Sequence, residues 1–437
     1  MNQYQLYLKA LRSPFKKIAK LEFLNPDDSV AFAVGNSYRR GYNREHDTRA
    51  FLQSGSLNVS LQNGQRRKAN VTLSDLDDAF HYSVNRLWYG NRLRLQMGIV
   101  LPDGTDFYLP QGVFYLSDPK ATNQPGKHEI TYQLLDKWSY LDGTLFGKLP
   151  YSYQINANSF IFQNMRSVLQ LSRQNMTQIT TDPFMMLDSS PPVFTDYYNS
   201  LPSITYEYEL PNGTKETMQI PPTKTAFATT VQMGDTAASI LLDLNRNIVG
   251  WIGYDQNGTL RVEPSQDDIL DISKPTLWTF SQKEVNFLGE GTAYLDKDVY
   301  NDVIVAGQGL DDSPVFGRAT NYDPSSDTNV NLIGLKTYKE ERADYWNASQ
   351  CISLADFILK RKCILRKSIS IECTQMFHLM ENRLIAIQRP DKEGAPLERH
   401  LIQSFSIPIG EVGSMTINAT SINDISISTT TSSMSTS

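Results

Sequence analysis

The sequence contains little cysteine, no long hydrophobic run and no excess of positive charge. Its three cysteines cannot all pair, which argues against a secreted disulfide scaffold. No run of about 18 apolar residues occurs, and the first 17 residues lack a signal-peptide core, so we expect no stable membrane insertion. With 41 Lys and Arg against 47 Asp and Glu, the net charge of −6 provides no global field for binding nucleic acid.

The composition is that of a large folded protein rich in β-structure. A chain of 437 residues is long enough for two to four domains. Aromatic residues make up 11% of the sequence, a share more typical of strands and interfaces than of helical bundles. We therefore predict a β-rich α+β fold with several domains.

The first 145 residues are predicted to form an all-β domain, 1–145. Apolar and polar residues alternate on both sides of a turn in segment 18–34, which indicates a hairpin. A second hairpin is predicted around Asn63-Gly64, because this dipeptide favours a tight turn. Further strands are expected at 93–101 and 113–116.

The middle of the chain alternates between helical and strand patterns. A helix beginning near Ser159 is predicted to open an insert, 146–234, which is rich in Pro and Tyr and contains a hairpin at 204–213. Asp235 is expected to cap a second helix, which opens a connecting α+β domain, 235–298. That domain also contains a strand, an Asn257-Gly258 turn and another strand.

A second β-domain, 299–410, is predicted from strand patterns at 299–306, 330–338, 368–373, 383–388 and 400–407. Ser353 and Asp356 have the spacing of a capping box, which predicts a helix over 353–366. The C-terminal tail, 411–437, ends in ten residues of which nine are Ser or Thr. Such a composition cannot bury a core, so we expect these last ten residues to be mobile unless another chain orders them.

Part of the first β-domain recurs in the same order in the second. The first copy comprises 67–73, Asn91-Arg92-Leu93, Pro102-Asp103 and the strand at 113–116. The second comprises 366–372, Asn382-Arg383-Leu384, Pro390-Asp391 and the strand at 400–407. The repeat predicts two similar β-domains per chain, and a trimer would then present six. The alternative is a chance similarity between short segments.

No group of residues has the spacing of a catalytic, cofactor or metal site, and we predict none. Cys351, Cys363, Cys373 and His378 lack a C-x-x-C spacing, so buried packing is favoured over zinc. A nucleophilic pair of Cys373 and His378 lacks an orienting third residue.

Other candidate groups each have a structural and a functional interpretation. Gly307-Gln308-Gly309 follows a strand but lacks the third Gly and the helix of a dinucleotide loop. Carboxylates at Asp267, Asp268 and Asp271, or at Glu340 and Glu341, would suit a glycosidase or a solvated loop. Two basic clusters would meet phosphate or solvent, and four tyrosines of the insert would serve an interface or a core. These are Arg66-Arg67-Lys68, Lys360-Arg361-Lys362 with Arg366-Lys367, and Tyr197, Tyr198, Tyr206 and Tyr208.

The order and spacing of several segments resemble the baseplate hub proteins of tailed bacteriophages. In the C-terminal half these segments are 300–307, 333–336, 353–366, 368–372 and 400–409. The helix followed by 251–264 and the segment 112–116 are also similar to that family. The likeness covers most of the chain, but it contains no single diagnostic motif.

The resemblance implies a homotrimeric hub at the distal end of a phage tail, assembled in the host bacterial cytoplasm. Each subunit would contribute two tail-tube-like β-barrel domains to a pseudo-sixfold ring around the DNA exit channel. Implied partners are the tail tube or distal tail protein, a tip, spike or fibre protein, the tape measure protein, and DNA in transit. Some relatives carry a fused peptidoglycan-cleaving domain, whereas this chain ends in a Ser/Thr tail, so we expect no enzymatic activity. The alternatives are a tail-associated cell-wall or glycan hydrolase and a receptor-binding adhesin.

Overall fold

The computed structural model describes residues 2–434 except for a set of internal segments. These are 26–27, 37–51, 75–79, 81–90, 146, 176–192, 195–203, 210–214, 221–223, 226–227, 249, 264–274, 282–283, 310–312, 343–344, 346, 389–396, 411–412 and 423–427. Most of the described elements are strands, so the predicted β-rich α+β class is confirmed. None of the described helices is long and apolar enough to cross a membrane.

The N-terminal strands form a β-sheet that we call β-unit 1. Its strands are β1 (Lys17–Leu24), β2 (Val30–Gly35), β3 (Leu52–Ser60), β4 (Arg67–Ser74), β5 (Arg92–Val100), β6 (Asp106–Gln124) and β7 (Lys127–Asp136). Their spatial order is β3-β4-β7-β6-β5-β1-β2, with every pair antiparallel. Both predicted hairpins are confirmed, since β1 pairs antiparallel with β2 and β3 pairs antiparallel with β4.

A short helix, α1 (Gln3–Ala10), precedes this sheet, so the prediction of an all-β N-terminal region is wrong here. Asn2 caps the helix by accepting a hydrogen bond from the Gln5 backbone N–H, and the Gln5 side chain returns the contact. Tyr7 and Ala10 are buried against the core. Burial of these two side chains in the core stabilises a helix that is too short to be stable alone.

The middle module follows β-unit 1 and has its own hydrophobic core. It begins with a 3-10 turn, Lys137–Tyr140, and its helices are α2 (Ile161–Asn175) and α3 (Ala237–Ile248). Its strands are β8 (Tyr153–Ile155), β9 (Val193–Phe194), β10 (Ile204–Glu209), β11 (Lys215–Ile220), β12 (Thr229–Val231), β13 (Trp251–Tyr254) and β14 (Leu260–Glu263). The helices and the hairpins β10–β11 and β13–β14 match their predictions. The predicted cap is wrong, because Thr236 accepts from Ser239 whereas Asp235 accepts from Gln232.

The remaining strands divide between β-unit 2 and a separate α/β module. β-unit 2 contains β15 (Trp278–Ser281), β16 (Phe287–Tyr294), β20 (Lys367–Cys373), β21 (Leu384–Gln388), β22 (Glu398–Ile409) and β23 (Met415–Ser421). The α/β module contains β17 (Asp302–Gln308), β18 (Pro314–Thr320), α4 (Val330–Ile333), β19 (Thr337–Arg342), α5 (Ala348–Lys362) and β24 (Thr430–Met434). The predicted domain 299–410 thus contributes to two sheets, and β-unit 2 begins at Trp278.

Three local predictions differ in this part of the chain. Segment 330–338 begins as the helix α4 and becomes a strand only at Thr337, after Gly334 adopts φ 79°. The long helix α5 begins at Ala348, not at 353, because Asn347 and Gln350 form the capping box. The Ser/Thr tail contributes β23 and β24. Its last strand stays exposed but pairs with β18, since main-chain hydrogen bonds require no buried side chain.

The two β-units have the same strand order. The order β3-β4-β7-β6-β5-β1 in β-unit 1 corresponds to β16-β20-β23-β22-β21-β15 in β-unit 2, although β15 runs parallel to its neighbour. The pair β3–β4 and the pair β16–β20 contain a bulge at the same place. The register shifts directly after Leu52 opposite Leu73 in the first pair, and directly after Phe287 opposite Cys373 in the second. Leu73 therefore corresponds to Cys373, and Arg67 to Lys367. The sequence alignment of Arg67 with Arg366 is off by one residue, which would exchange the buried and exposed faces.

Candidate assembly interface

The two β-units are joined edge to edge by β22 and β3. These strands pair antiparallel from Ser404 opposite Ser60 to Ile409 opposite Gly55. Leu57 and Ile407, which face each other across the joint, are fully buried. One hydrophobic core runs through both units. The joint is therefore a continuous ladder with a shared core, so the two units form one body.

A buried charge cluster reinforces this joint. Arg67 Nη2 donates to Glu381 Oε2 at 2.6 Å, and both side chains are almost fully buried. Arg67 Nη1 also donates to the Gln111 carbonyl at 3.0 Å, while Gln111 Nε2 donates to the Phe377 carbonyl at 2.8 Å. Glu381 and Phe377 lie between β20 and β21 of β-unit 2. The cluster therefore links the two units through charge and hydrogen bonds.

This cluster overturns the interpretation of Arg66-Arg67-Lys68 as a solvated or phosphate-binding turn. Arg66 and Arg67 are only 2% and 1% exposed, and Lys68 alone faces solvent. Their backbone N–H groups both donate to Asp136 Oδ2 at 2.9 Å. Burial raises the pKa of Asp136 to about 7, against the lowering effect of these hydrogen bonds and of the Arg67 charge. Sequence spacing gave no signal for this cluster, since Glu381 is distant in the chain.

Helix α1 closes a second cluster beside the joint. Tyr7 Oη accepts from the Phe377 backbone N–H at 2.9 Å and lies 3.1 Å from His378 Nδ1. The ring of Trp278 meets that of His378 with centroids 5.6 Å apart. Burial lowers the pKa of His378 to about 4, so the imidazole is neutral at pH 7. This histidine packs as a neutral aromatic group.

The cysteines divide between two cores. Cys351 and Cys363 are buried in the α/β module, whereas Cys373 is buried in the core of the β-units. Burial raises the pKa of Cys363 to about 11 and that of Cys373 to about 12, so both thiols stay protonated at neutral pH. Within the described part of the chain, no three His, Cys, Asp or Glu side chains gather in a way that would hold a metal ion.

The other candidate residues do not form a reaction centre among the described residues. Glu340 and Glu341 are adjacent on β19 and point to opposite faces, so they cannot flank one substrate. Gly307 and Gln308 lie in β17, which continues into a hairpin with β18. Asp267, Asp268, Asp271, Tyr197 and Tyr198 lie outside the described residues, as do the side chains of Tyr206 and Tyr208.

The second basic cluster lines a cavity of about 930 Å³ between the sheet, α3 and α5. Arg361, Lys362 and Arg366 reach this cavity, together with Arg246 and Arg342, and Asp298 is the acidic residue among its lining. Lys360 instead pairs with Asp356 at 2.7 Å, and Lys367 pairs with Glu398 at 2.9 Å. The cavity wall is therefore strongly basic, whereas the two neighbouring lysines form ordinary ion pairs.

Two strands of the joined units, β16 and the end of β6, have one edge without a partner among the described strands. β16 is the last strand of the sheet, and its Leu288 and Tyr294 are 55% and 63% exposed. In β6, every residue from Asp118 to the end of the strand is exposed, and its hairpin with β7 protrudes there. Exposed strand edges present N–H and C=O groups that can pair with another chain.

No family model and no curated protein matches the chain. Among solved structures, the chain is similar to the tail protein from Neisseria meningitidis MC58, with a TM-score of 0.54 and 10% identity over 93% of this chain and 97% of that one. It is also similar to the 43 kDa tail protein of prophage MuSo2 from Shewanella oneidensis, with a TM-score of 0.52 and 11% identity over 93% and 98%. The predicted resemblance to phage tail proteins is confirmed at the level of the fold.

Proposed function

We propose that this chain is a non-enzymatic structural subunit of a phage tail, where three copies form a hub. The hub joins a sixfold tail tube to a threefold tip or spike and surrounds the channel through which DNA leaves. Its partners are the tube or distal tail protein on one side and a tip, spike or fibre protein on the other, and the tape measure protein is a further candidate within the channel.

The observation that carries this proposal is the repeated β-unit. Each chain contains two units with the same strand order, already joined through β22 and β3. Three chains arranged around a threefold axis supply six such units, which matches a sixfold partner on one face while keeping true threefold symmetry. The fold shared with two tail proteins over more than nine-tenths of this chain supports the same role.

The experiment is native mass spectrometry of the purified full chain, with negative-stain imaging of the same sample. We expect a species of three times the 49.5 kDa chain mass, and rings with a central hole. A monomer at every accessible concentration, or a closed ring of another stoichiometry, would overturn the trimeric hub. Turnover of purified peptidoglycan by the chain would overturn its non-enzymatic role and favour the hydrolase alternative.

A further inference from the structure

The joint inside the chain uses a specific part of β22. The beginning of this strand pairs with β21 as far as Leu401, and its end, from Ser404 to Ile409, pairs with β3. Both partners lie on the side of β22 that faces away from β23, because Leu401 and Phe405 also pair with β23 on the other side. β22 therefore extends beyond the end of β21, and the edge that β21 does not cover is paired with β3 of β-unit 1.

The corresponding strand of β-unit 1 has the same extension. β6 pairs with β5 as far as Tyr115, which is also matched with Leu135 of β7 on its other side. From Ser117 to Gln124 the strand is paired with β7 alone among the described strands. Among the described strands, β6 thus lacks a partner along the edge whose equivalent in β22 is paired with β3. The corresponding partner strand would be β16, the counterpart of β3.

The register of this second joint follows from the repeat. Thr131 of β7 and Thr416 of β23 are equivalent, and they pair with Lys120 and Ser406. Lys120 is therefore the counterpart of Ser406, and Ala121 is the counterpart of Ile407. On the other strand, the common register shift makes Thr292 the counterpart of Leu57. Because Leu57 pairs with Ile407, Thr292 takes the place opposite Ala121.

We infer that β16 of one chain pairs antiparallel with the end of β6 of a second copy, with Thr292 opposite Ala121 and Gly291 opposite Thr122. This inference rests on the proposed hub and identifies the surface through which its subunits meet. The contact is heterologous, since β16 and β6 differ, and repetition of one heterologous contact closes a ring or extends a filament. Near-equivalence with the internal joint favours closure, because three internal and three external joints would alternate around the six units.

The side chains at the two edges suit a joint that forms between separate chains. Thr292 and Ala121 lie beside the buried residues Ile369 and Ile130, so pairing would continue the inner face of the sheet. They are small or polar where the internal joint has Leu and Ile. Small or polar side chains at these two positions reduce the tendency of an exposed edge to aggregate, although Leu288 and Tyr294 of the same strand are exposed and apolar.

Among the described strands, β16 pairs with β20 alone and the end of β6 pairs with β7 alone, so each has one edge without a described partner strand. A Cβ added at Gly289 or Gly291 of β16 would meet no atom within 4 Å, so no described atom covers the sheet face at these two residues. In β6, Pro119 and Lys120 lie at the start of the extension, and such residues are common on edges that must avoid promiscuous pairing. Both edges are therefore open to a partner strand of matched register.

The test is site-directed crosslinking in the full chain with the double variant Ala121→Cys/Thr292→Cys. The three native cysteines are buried, so the introduced thiols are the accessible ones among the described residues. The matched control, Ala121→Cys/Ala293→Cys, moves the second thiol by one residue to the opposite face of β16. Both variants are treated with a short bismaleimide and run on denaturing gels, in parallel with native mass spectrometry.

We expect the 121/292 variant to shift to a covalent product of three times the chain mass, while the 121/293 control stays monomeric. A native trimer in which 121/292 crosslinks no better than the control would overturn this interface and leave the proposed hub standing. Monomers by native mass spectrometry for both variants and for the unmodified chain would overturn the hub and the interface together.

Discussion

Removing the Glu381 carboxylate should destabilise the joined β-units far more than removing an exposed one. In the variant Glu381→Gln, the Arg67 guanidinium keeps its charge in a site where its side chain is 1% exposed, and the partner oxygen 2.6 Å away becomes neutral. The second Glu381 oxygen lies 3.9 Å from Arg66 Nη1, so two buried guanidinium groups lose the same counter-charge. The side chain retains its size, so the loss is electrostatic rather than a cavity effect.

The expected magnitude follows from the burial of the pair. Breaking a buried ion pair by neutralising one partner costs about 3–5 kcal/mol, because a charge is left desolvated without compensation. For a cooperative unit of 150–250 residues, each kcal/mol shifts Tm by about 2–4 °C, so we expect a fall of roughly 6–20 °C. Thermal unfolding followed by circular dichroism measures this shift.

The matched control is Glu341→Gln, whose carboxylate also meets a cation at 2.6 Å but lies on the surface with Lys339. Solvent screens that pair, so the control should unfold at the temperature of the unmodified chain. The double variant Arg67→Met/Glu381→Leu should recover the part of the loss that comes from the unpaired Arg67 charge, because it removes that buried pair at similar volume, while Arg66 still lacks its counter-charge. If Glu381→Gln unfolded no earlier than Glu341→Gln, the reasoning about the buried cluster would be refuted.

Three further predictions concern acid stability, thiol access and assembly. His378 has a folded pKa of about 4, below its ordinary 6.5, so its contribution of about 3 kcal/mol to the free energy of unfolding is present above pH 6.5 and is lost as the pH falls through 4. The Tm of His378→Gln should therefore decline less over this pH range than the Tm of the unmodified chain. An identical decline would contradict the assignment. The three cysteines are buried, so Ellman's reagent should label none in the native chain and all three in denaturant; rapid native labelling would contradict their burial. Ala121→Asp/Thr292→Asp should lose the trimer through like-charge repulsion across the strands, and Ala121→Lys/Thr292→Asp should regain it, as measured by native mass spectrometry.

Local sequence patterns predict the local elements of this fold well. Alternation identifies the hairpins β1–β2 and β3–β4, and helical spacing identifies α2 and α3, because each pattern is set by which face of one element is buried. The same logic fails for α1, whose helical state depends on burial of Tyr7 beside residues more than 360 positions away. Short helices of this kind are selected by tertiary contacts rather than by their own pattern.

The candidate site was harder to predict, because its chemistry depends on long-range pairing. Arg66 and Arg67 follow a turn, where charged residues usually meet water, yet Glu381 and Asp136 enclose them. A run of basic residues contains no signal for a carboxylate that is distant in sequence. The sequence repeat predicts the duplication, but aligning identical residues pairs Arg67 with Arg366, one residue away from its structural counterpart Lys367. The shared bulge determines which residues of the two units correspond, and a bulge can be identified only from the pairing between strands.

The internal joint, together with the proposed joint between chains, would explain why two similar units differ in the residues at their edges. A joint within one chain loses no translational freedom on forming, and its strands are never exposed in the folded state, so Leu57 and Ile407 can be apolar. A joint between chains must form from edges that remain soluble, which favours residues such as Thr292 and Ala121. Fusing two units in one chain makes the contact between β22 and β3 part of a permanent core, and in the proposed ring the other contact would form only on assembly. The threefold symmetry of such a ring would follow directly from this difference between otherwise equivalent joints.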